Sequence, residues 1–268
     1  MIKLDCMELG DCFTPKQLVE EIYRQCPDIT PPIPVEEIAR AVGIYAIKAM
    51  PTKDVEGMLV ADDGKTSGVI FYKESSPLGR QRFTIGHELG HFLLLHHGSE
   101  QSCTPSDIKF SSSSNVLKVL ESEANQFSQL LLMPDSLISN AINSSVVSMG
   151  LLKLISDSFE MSFEAMSNKC SSLSDTPFAL VYSKDGIVRY CWRDGKKFPY
   201  WMPFKAKDVM PPSSQAIGLS QPEETISHPV EVDPSEWISV KRNQSRPDKL
   251  IEQTYTQLDG YQVTMIRL

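Results

Sequence analysis

The sequence predicts an α+β protein in which a small mixed or antiparallel sheet packs on a helix carrying His-Glu-x-x-His, followed by a short helical region and a mostly β C-terminal domain. Three observations carry that expectation. Extended runs bounded by turn signals precede a long proline-free stretch from Pro77 to His97; a second long helical run, Val116 to Met133, stops at Pro134; and from Pro177 the texture changes to aromatic and β-branched runs. The boundaries implied are 1–140, 141–175 and 176–268.

Each element has a local reason. Thr14-Pro-x-Gln caps a helix over Pro15 to Cys26, with Leu18, Ile22 and Tyr23 at helical spacing. Pro34 to Val42 repeats the logic, Gly43 stops it, and Ile44 to Met50 reads as a strand. Asp63-Gly64 joins Gly57 to Ala61 and Gly68 to Tyr72 in a hairpin. The second of these strands offers either an edge for an extended substrate or a core strand. Ser75-Ser76-Pro77 opens the long His-bearing helix, and Ser111 to Ser114 reads as a loop. Leu151, Leu152, Ile155 and Phe159 mark a short helix, and Ser162 caps Phe163 to Cys170. Turns at Asp185-Gly186 and Asp194-Gly195, with a closing strand Tyr261 to Leu268, complete the β part.

Composition narrows the function. The chain has 268 residues, 41% of them hydrophobic and 22% charged, enough to bury a sizeable core. No run approaches the roughly 18 apolar residues of a membrane span, and Lys3, Asp5 and Asp11 interrupt the start where a secretory signal needs its apolar block. Six cysteines without a Cys-x-x-Cys pair make neither a disulfide framework nor a thiolate zinc ribbon, so a reducing cytoplasm is expected. The formal charge of -8 is concentrated: 14 basic against 23 acidic residues in 1–175, and 12 against 11 in 176–268. Such a surface repels phosphate backbones, so nucleic acid is not an expected ligand, whereas a basic protein partner is steered toward it.

The chemistry lies in RQRFTIGHELGHFLLLHH. His87 and His91, four apart on a helix, sit one turn above each other, so both imidazoles reach one metal ion. Glu88 projects about 100° round the helix, away from ligation and toward a water activated by that metal, the place of a general base. Zinc suits two neutral imidazoles and a carboxylate; manganese, iron or cobalt also fit that donor set. Two candidates compete for third ligand. His97 follows His87 at the spacing of the longer histidine class, but that class breaks its helix with a glycine where this chain has Leu94. On a continuing helix His97 stands about 80° from His87 and far down the axis, and His96 and His97 read as solvated residues of the last turn. His228, in a Ser-His-Pro context, reads as surface. On the downstream helix, Glu121, Ala124, Asn125 and Ser128 form a polar-to-small strip that lets the His-bearing helix approach closely. Glu121 would then be the third ligand; Glu123, about 160° round the helix, is the fallback, and because the neighbouring apolar face is broad, spacing permits either.

Together RQRFTIGHELGHFLLLHH and ESEANQFSQLLLMP, about thirty residues on, resemble the ImmA/IrrE family of zincin-like metallopeptidases, and PPIPVEEIARAVGI is similar to its N-terminal helix. The resemblance covers about residues 15–175. By position it implies Glu121 as third zinc ligand beside His87 and His91. It also implies an activity, cleavage of helix-turn-helix transcriptional repressors, which derepresses prophage, mobile-element or stress-response genes. Gly86 and Ser128 depart from it, standing where alanine is more usual. The helix-turn-helix-like region 145–175 carries Lys153 and Lys169 against Asp157, Glu160, Glu164 and Asp175, a balance that favours an interaction or spacer role over DNA binding. The layout further implies a GAF-like sensory domain from 176. The rival reading is a non-catalytic, ligand-sensing regulator that binds a repressor and uses the metal structurally; Glu88 separates the two, since a closed structural site needs no base.

Overall fold

The chain is described here from a computed structural model covering residues 2–97, 100–103, 116–217 and 223–268. It divides into two units: residues up to Asp135 with Asp157–Ser162, and Ser136–Ser156 with Phe163–Leu268. Helices and sheets make it a mixed α+β protein. The loop predicted at Ser111 to Ser114 lies outside the described residues.

The first unit opens with α1 (Cys6–Gly10) and α2 (Pro15–Gln25). Thr14 and Gln17 cap α2 reciprocally: the Gln17 N–H donates to Thr14 Oγ1, and the Thr14 N–H donates to Gln17 Oε1. α3 (Val35–Ala41) ends before Gly43, whose φ of +116° turns the chain into β1 (Ile44–Met50). The hairpin β2 (Gly57–Ala61) and β3 (Gly68–Lys73) is antiparallel, β1 pairs parallel with β3, and β4 (Glu100–Cys103) pairs with β2. The order is therefore β1-β3-β2-β4. β3 has a partner on each side and buries Val69 and Ile70, so it is a core strand with no edge to offer a substrate.

α4 (Leu78–Leu93) and α5 (Val116–Leu132) carry the chemistry-bearing segments. α4 stops short of the predicted His97. No glycine or proline stops it; Leu94 turns extended, at φ -76° and ψ 103°, and buries its side chain. Lys65, on the β2–β3 turn, donates Nζ to the carbonyls of His91 (2.6 Å) and Leu94 (2.8 Å). A cation there satisfies acceptors that a helix end leaves open and complements its dipole. The stop signal is thus tertiary.

The two helices meet through small residues. A β-carbon on Gly90 would lie 3.1 Å from Phe127 Cδ1 and 3.2 Å from Ala124 Cα, and one on Gly86 would lie 2.6 Å from Ser128 Oγ. Ser128 Oγ in turn donates to Phe83 O at 2.8 Å, bridging the helices. The two departures from the family pattern, Gly86 and Ser128, face each other: the hydroxyl occupies the space that the glycine vacates.

The second unit draws on α6 (Asp135–Ile142), α7 (Met149–Ser158) and α8 (Phe163–Leu173). β5 (Phe178–Lys184) and β6 (Ile187–Arg193) flank Asp185-Gly186, both at positive φ (51° and 75°), as a type I′ hairpin requires. β7 (Thr225–Ile226), β8 (Val230–Val232), α9 (Pro234–Trp237), β9 (Leu250–Thr256) and β10 (Tyr261–Arg267) follow. The antiparallel sheet runs β6-β5-β10-β9-β7, with β8 also on β9, and its inner face packs on Phe198, Met202 and Trp237. Glu252 of β9 is fully buried, accepting from Ser214 Oγ (2.7 Å) and Gln215 N (2.9 Å).

Two outcomes follow from this packing. Ser128→Ala should destabilise the wild type by about 1 kcal/mol through its lost hydrogen bond but stabilise Gly86→Ala, where the hydroxyl clashes with the new methyl; urea unfolding followed by far-UV circular dichroism reads this reversal of sign. Burial, helped by Glu236, raises the Glu252 pKa above the ordinary 4.5. A raised folded-state pKa means stability present below 4.5 and lost as pH climbs through the higher folded value. Glu252→Gln should therefore gain stability over wild type as pH rises. All three tryptophans (Trp192, Trp201, Trp237) lie in the second unit, so their fluorescence follows its unfolding specifically.

Candidate metal centre

Along one turn, α4 presents Gly86 and Gly90 to α5, His87 and His91 to the space beside that contact, and Glu88 to β2. Both imidazoles are fully buried. Their Nε2 atoms are 3.1 Å apart, and Glu121 on α5 places Oε2 3.2 Å from His87 Nε2 and Oε1 3.3 Å from His91 Nε2. Ligand atoms on a tetrahedral ion with bonds of about 2.0 Å are about 3.3 Å apart, so the three groups already have the spacing that such an ion requires. The donor chemistry agrees: His87, His91 and Glu121 form one of two groups among the described residues able to hold a metal.

The electrostatics couple the three. Burial depresses both imidazoles, but at His87 the Glu121 carboxylate, with Glu88 and Asn125, outweighs it and the pKa ends raised. His91 stays lowered, because His87 and Lys65 add to the burial that Glu121 opposes. Burial also resists ionisation of Glu121, yet both imidazoles hold it far below the ordinary carboxylate value. The result is a buried carboxylate facing two ring nitrogens.

Glu88 is fully buried next to them, and its carboxylate occupies the space left by the missing side chain of Gly57 at the start of β2. A β-carbon on Gly57 would collide with Glu88 Oε1 and lie 2.5 Å from Thr84 Cγ2. His87 Nδ1 is 3.1 Å from Asn125 Oδ1, one turn beyond Glu121 on the same face of α5.

The expectation of a solvated residue in the helix's last turn is overturned for His97, whereas His96 is exposed as expected, though beyond the end of the helix. Because α4 ends at Leu93, both leave the helix axis and turn toward α5; His97 is 4% exposed and far from solvated. Its Nδ1 is 2.8 Å from His91 Nδ1, and its Nε2 is 3.1 Å from Glu123 Oε2, which also takes His96 Nε2 at 2.7 Å. His97 thus stands behind His91, and Glu123 faces these two histidines, in a group separate from His87 and His91. His228 is exposed. Sequence reasoning missed Gly57 and Lys65, which have no local signal, and gave Asn125 only a packing role, although its spacing of four from Glu121 places it beside the same rings.

A His-Glu-x-x-His helix crossed by a carboxylate-bearing helix defines a candidate metallopeptidase-type centre. Residues 39–171 match the peptidase M78 family, described as the IrrE N-terminal-like domain, and this match supports membership of the ImmA/IrrE family. The match also supports a metallopeptidase-like role in general terms. Among solved structures, a Mycobacterium tuberculosis transcriptional regulator is similar at 14% identity and a TM-score of 0.46, over 98% of this chain and 73% of that one. No curated protein matches the chain.

Gly57→Ala separates the groups of the site. The added methyl should displace Glu88 without touching His87, His91 or Glu121, so zinc affinity in equilibrium dialysis should stay within a few-fold of wild type, while Glu121→Ala should lower it by at least about 100-fold.

Proposed function

We propose that the chain is a zinc-dependent endopeptidase of zincin-like build that cuts a helix-turn-helix transcriptional repressor, with His87, His91 and Glu121 holding the ion and Glu88 as general base. The observation that carries this reading is the buried convergence of two imidazole nitrogens and a carboxylate at 3.1–3.3 Å, with a second carboxylate one residue along the same helix. When bound, the ion lowers the pKa of water and polarises the scissile carbonyl. Glu88 accepts the proton of the attacking water on a carboxylate oxygen and returns it to the amine nitrogen as the C–N bond breaks. Gly57 leaves that carboxylate its room.

The acidic balance of residues 1–175 supports a basic partner, as DNA-binding repressors are. Cleavage derepresses the genes that such a repressor holds silent, with the second unit as the sensory part. Cys6, Cys12, Cys26, Cys170 and Cys191 are free thiols, in keeping with the cytoplasm, and no helix among the described residues is long and apolar enough to cross a membrane.

The test pairs wild type with Glu88→Gln at equal zinc content, using purified candidate helix-turn-helix repressors as substrates. Cleavage should fall by about 10²- to 10⁴-fold in the variant. Equal cutting by both, or by neither with zinc bound, overturns the mechanism in favour of a structural metal.

A further inference from the structure

The second group of ligand-type atoms, His96, His97 and Glu123, is tied to the first through His97 Nδ1, 2.8 Å from His91 Nδ1. Two ring nitrogens at that distance share a single proton. A pair of neutral imidazoles carries two protons on four nitrogens. One lies between the Nδ1 atoms, which leaves one for the two Nε2 atoms, so only one Nε2 keeps a lone pair for a metal. Each Nε2 faces a carboxylate that only accepts: Glu121 Oε1 lies 3.3 Å from His91 Nε2, and Glu123 Oε2 lies 3.1 Å from His97 Nε2. An ion held between His91 and Glu121 needs the first nitrogen bare, and Glu123 is the acceptor that takes the proton in that arrangement, on His97 Nε2. His97 Nδ1 is then an acceptor, His91 carries its proton on Nδ1, and His91 Nε2 presents a lone pair toward His87 and Glu121. The bond from His96 Nε2 to the same oxygen, at 2.7 Å, is a second N–H donated to it.

We infer that Glu123, acting through His97, is a positioning residue that selects the metal-binding tautomer of His91, and that His96, His97 and Glu123 support the first site and hold no second ion. The inference rests on the reading of His87, His91 and Glu121 as the metal site. It also distinguishes the two rings: His87 is oriented by an amide, which offers a donor or an acceptor, whereas His91 is oriented by a chain ending in an obligate acceptor.

The polarity of that chain can be inverted without touching a ligand. In Glu123→Lys a donor replaces the carboxylate, so His97 Nε2 accepts, its Nδ1–H donates to His91, and the remaining proton is forced onto His91 Nε2. In Glu123→Gln the amide oxygen still accepts. Zinc titration of the full chain against a competing chelator should give one ion per chain in wild type and an affinity within a few-fold of it for Glu123→Gln. Glu123→Lys should lose roughly 100-fold. His97→Ala should lose about 10-fold, and His97→Ala/Glu123→Lys should return to the level of His97→Ala, because the chain is cut. Long-range ¹⁵N–¹H spectra of metal-free Glu121→Ala, which lacks the competing acceptor, should show His91 Nε2 unprotonated, and those of Glu121→Ala/Glu123→Lys should show it protonated. A double variant as weak as Glu123→Lys would assign the loss to charge acting through space and overturn the inference, as would two ions bound per wild-type chain. A wild type that binds no zinc defeats the peptidase reading instead; the nitrogen spectra then decide the tautomer alone, with His91 Nε2–H in Glu121→Ala refuting the selection by Glu123.

Discussion

The close approach of α4 and α5 is the constraint on which the centre depends. Glu121 reaches His87 and His91 only because Gly86 and Gly90 let α5 lie against the backbone of α4, with Ala124, Phe127 and Ser128 filling the seam. Ser128 and Tyr23 anchor α5 further, the first by its bond to Phe83 O and the second by donating to Leu131 O at 2.8 Å. A helix pair held at this distance places a carboxylate within about 3 Å of two imidazoles without long, mobile side chains having to search for each other, the preorganisation that a ligand set needs.

Three glutamates of the same unit meet three fates for reasons of helical geometry. Glu88 follows His87 and is swung about 100° from it, onto β2, where Gly57 admits it. Glu121 lies on the seam side of α5. Glu123, two residues on, is carried about 200° round and meets the turn after α4. Periodicity separates the last two and says nothing of which one meets a partner; the end of α4 settles that, by folding His96 and His97 back onto Glu123.

That end is itself tertiary. A helix with no local stop signal terminates where Lys65 reaches its last carbonyls and where Leu94 finds a buried site. Burial pushes the Lys65 ammonium down to about 8, the mark of a cation taken partly out of water to hold two carbonyls. The contact reaches from the β2–β3 turn to the backbone carbonyl of His91.

What the sequence by itself determined is whatever depends on neighbours along the chain. The Thr14–Gln17 cap, the hairpin at Asp63-Gly64, the type I′ turn at Asp185-Gly186 and the facing of His87 with His91 follow from local chemistry and a 3.6-residue repeat. Tertiary structure alone decided where α4 stops, that His97 stands behind His91, that Gly57 makes room for Glu88, and that Gly86 and Ser128 fit each other. Each of these joins segments distant in sequence through a few ångströms of space, and no pattern within either segment encodes the distance to the other.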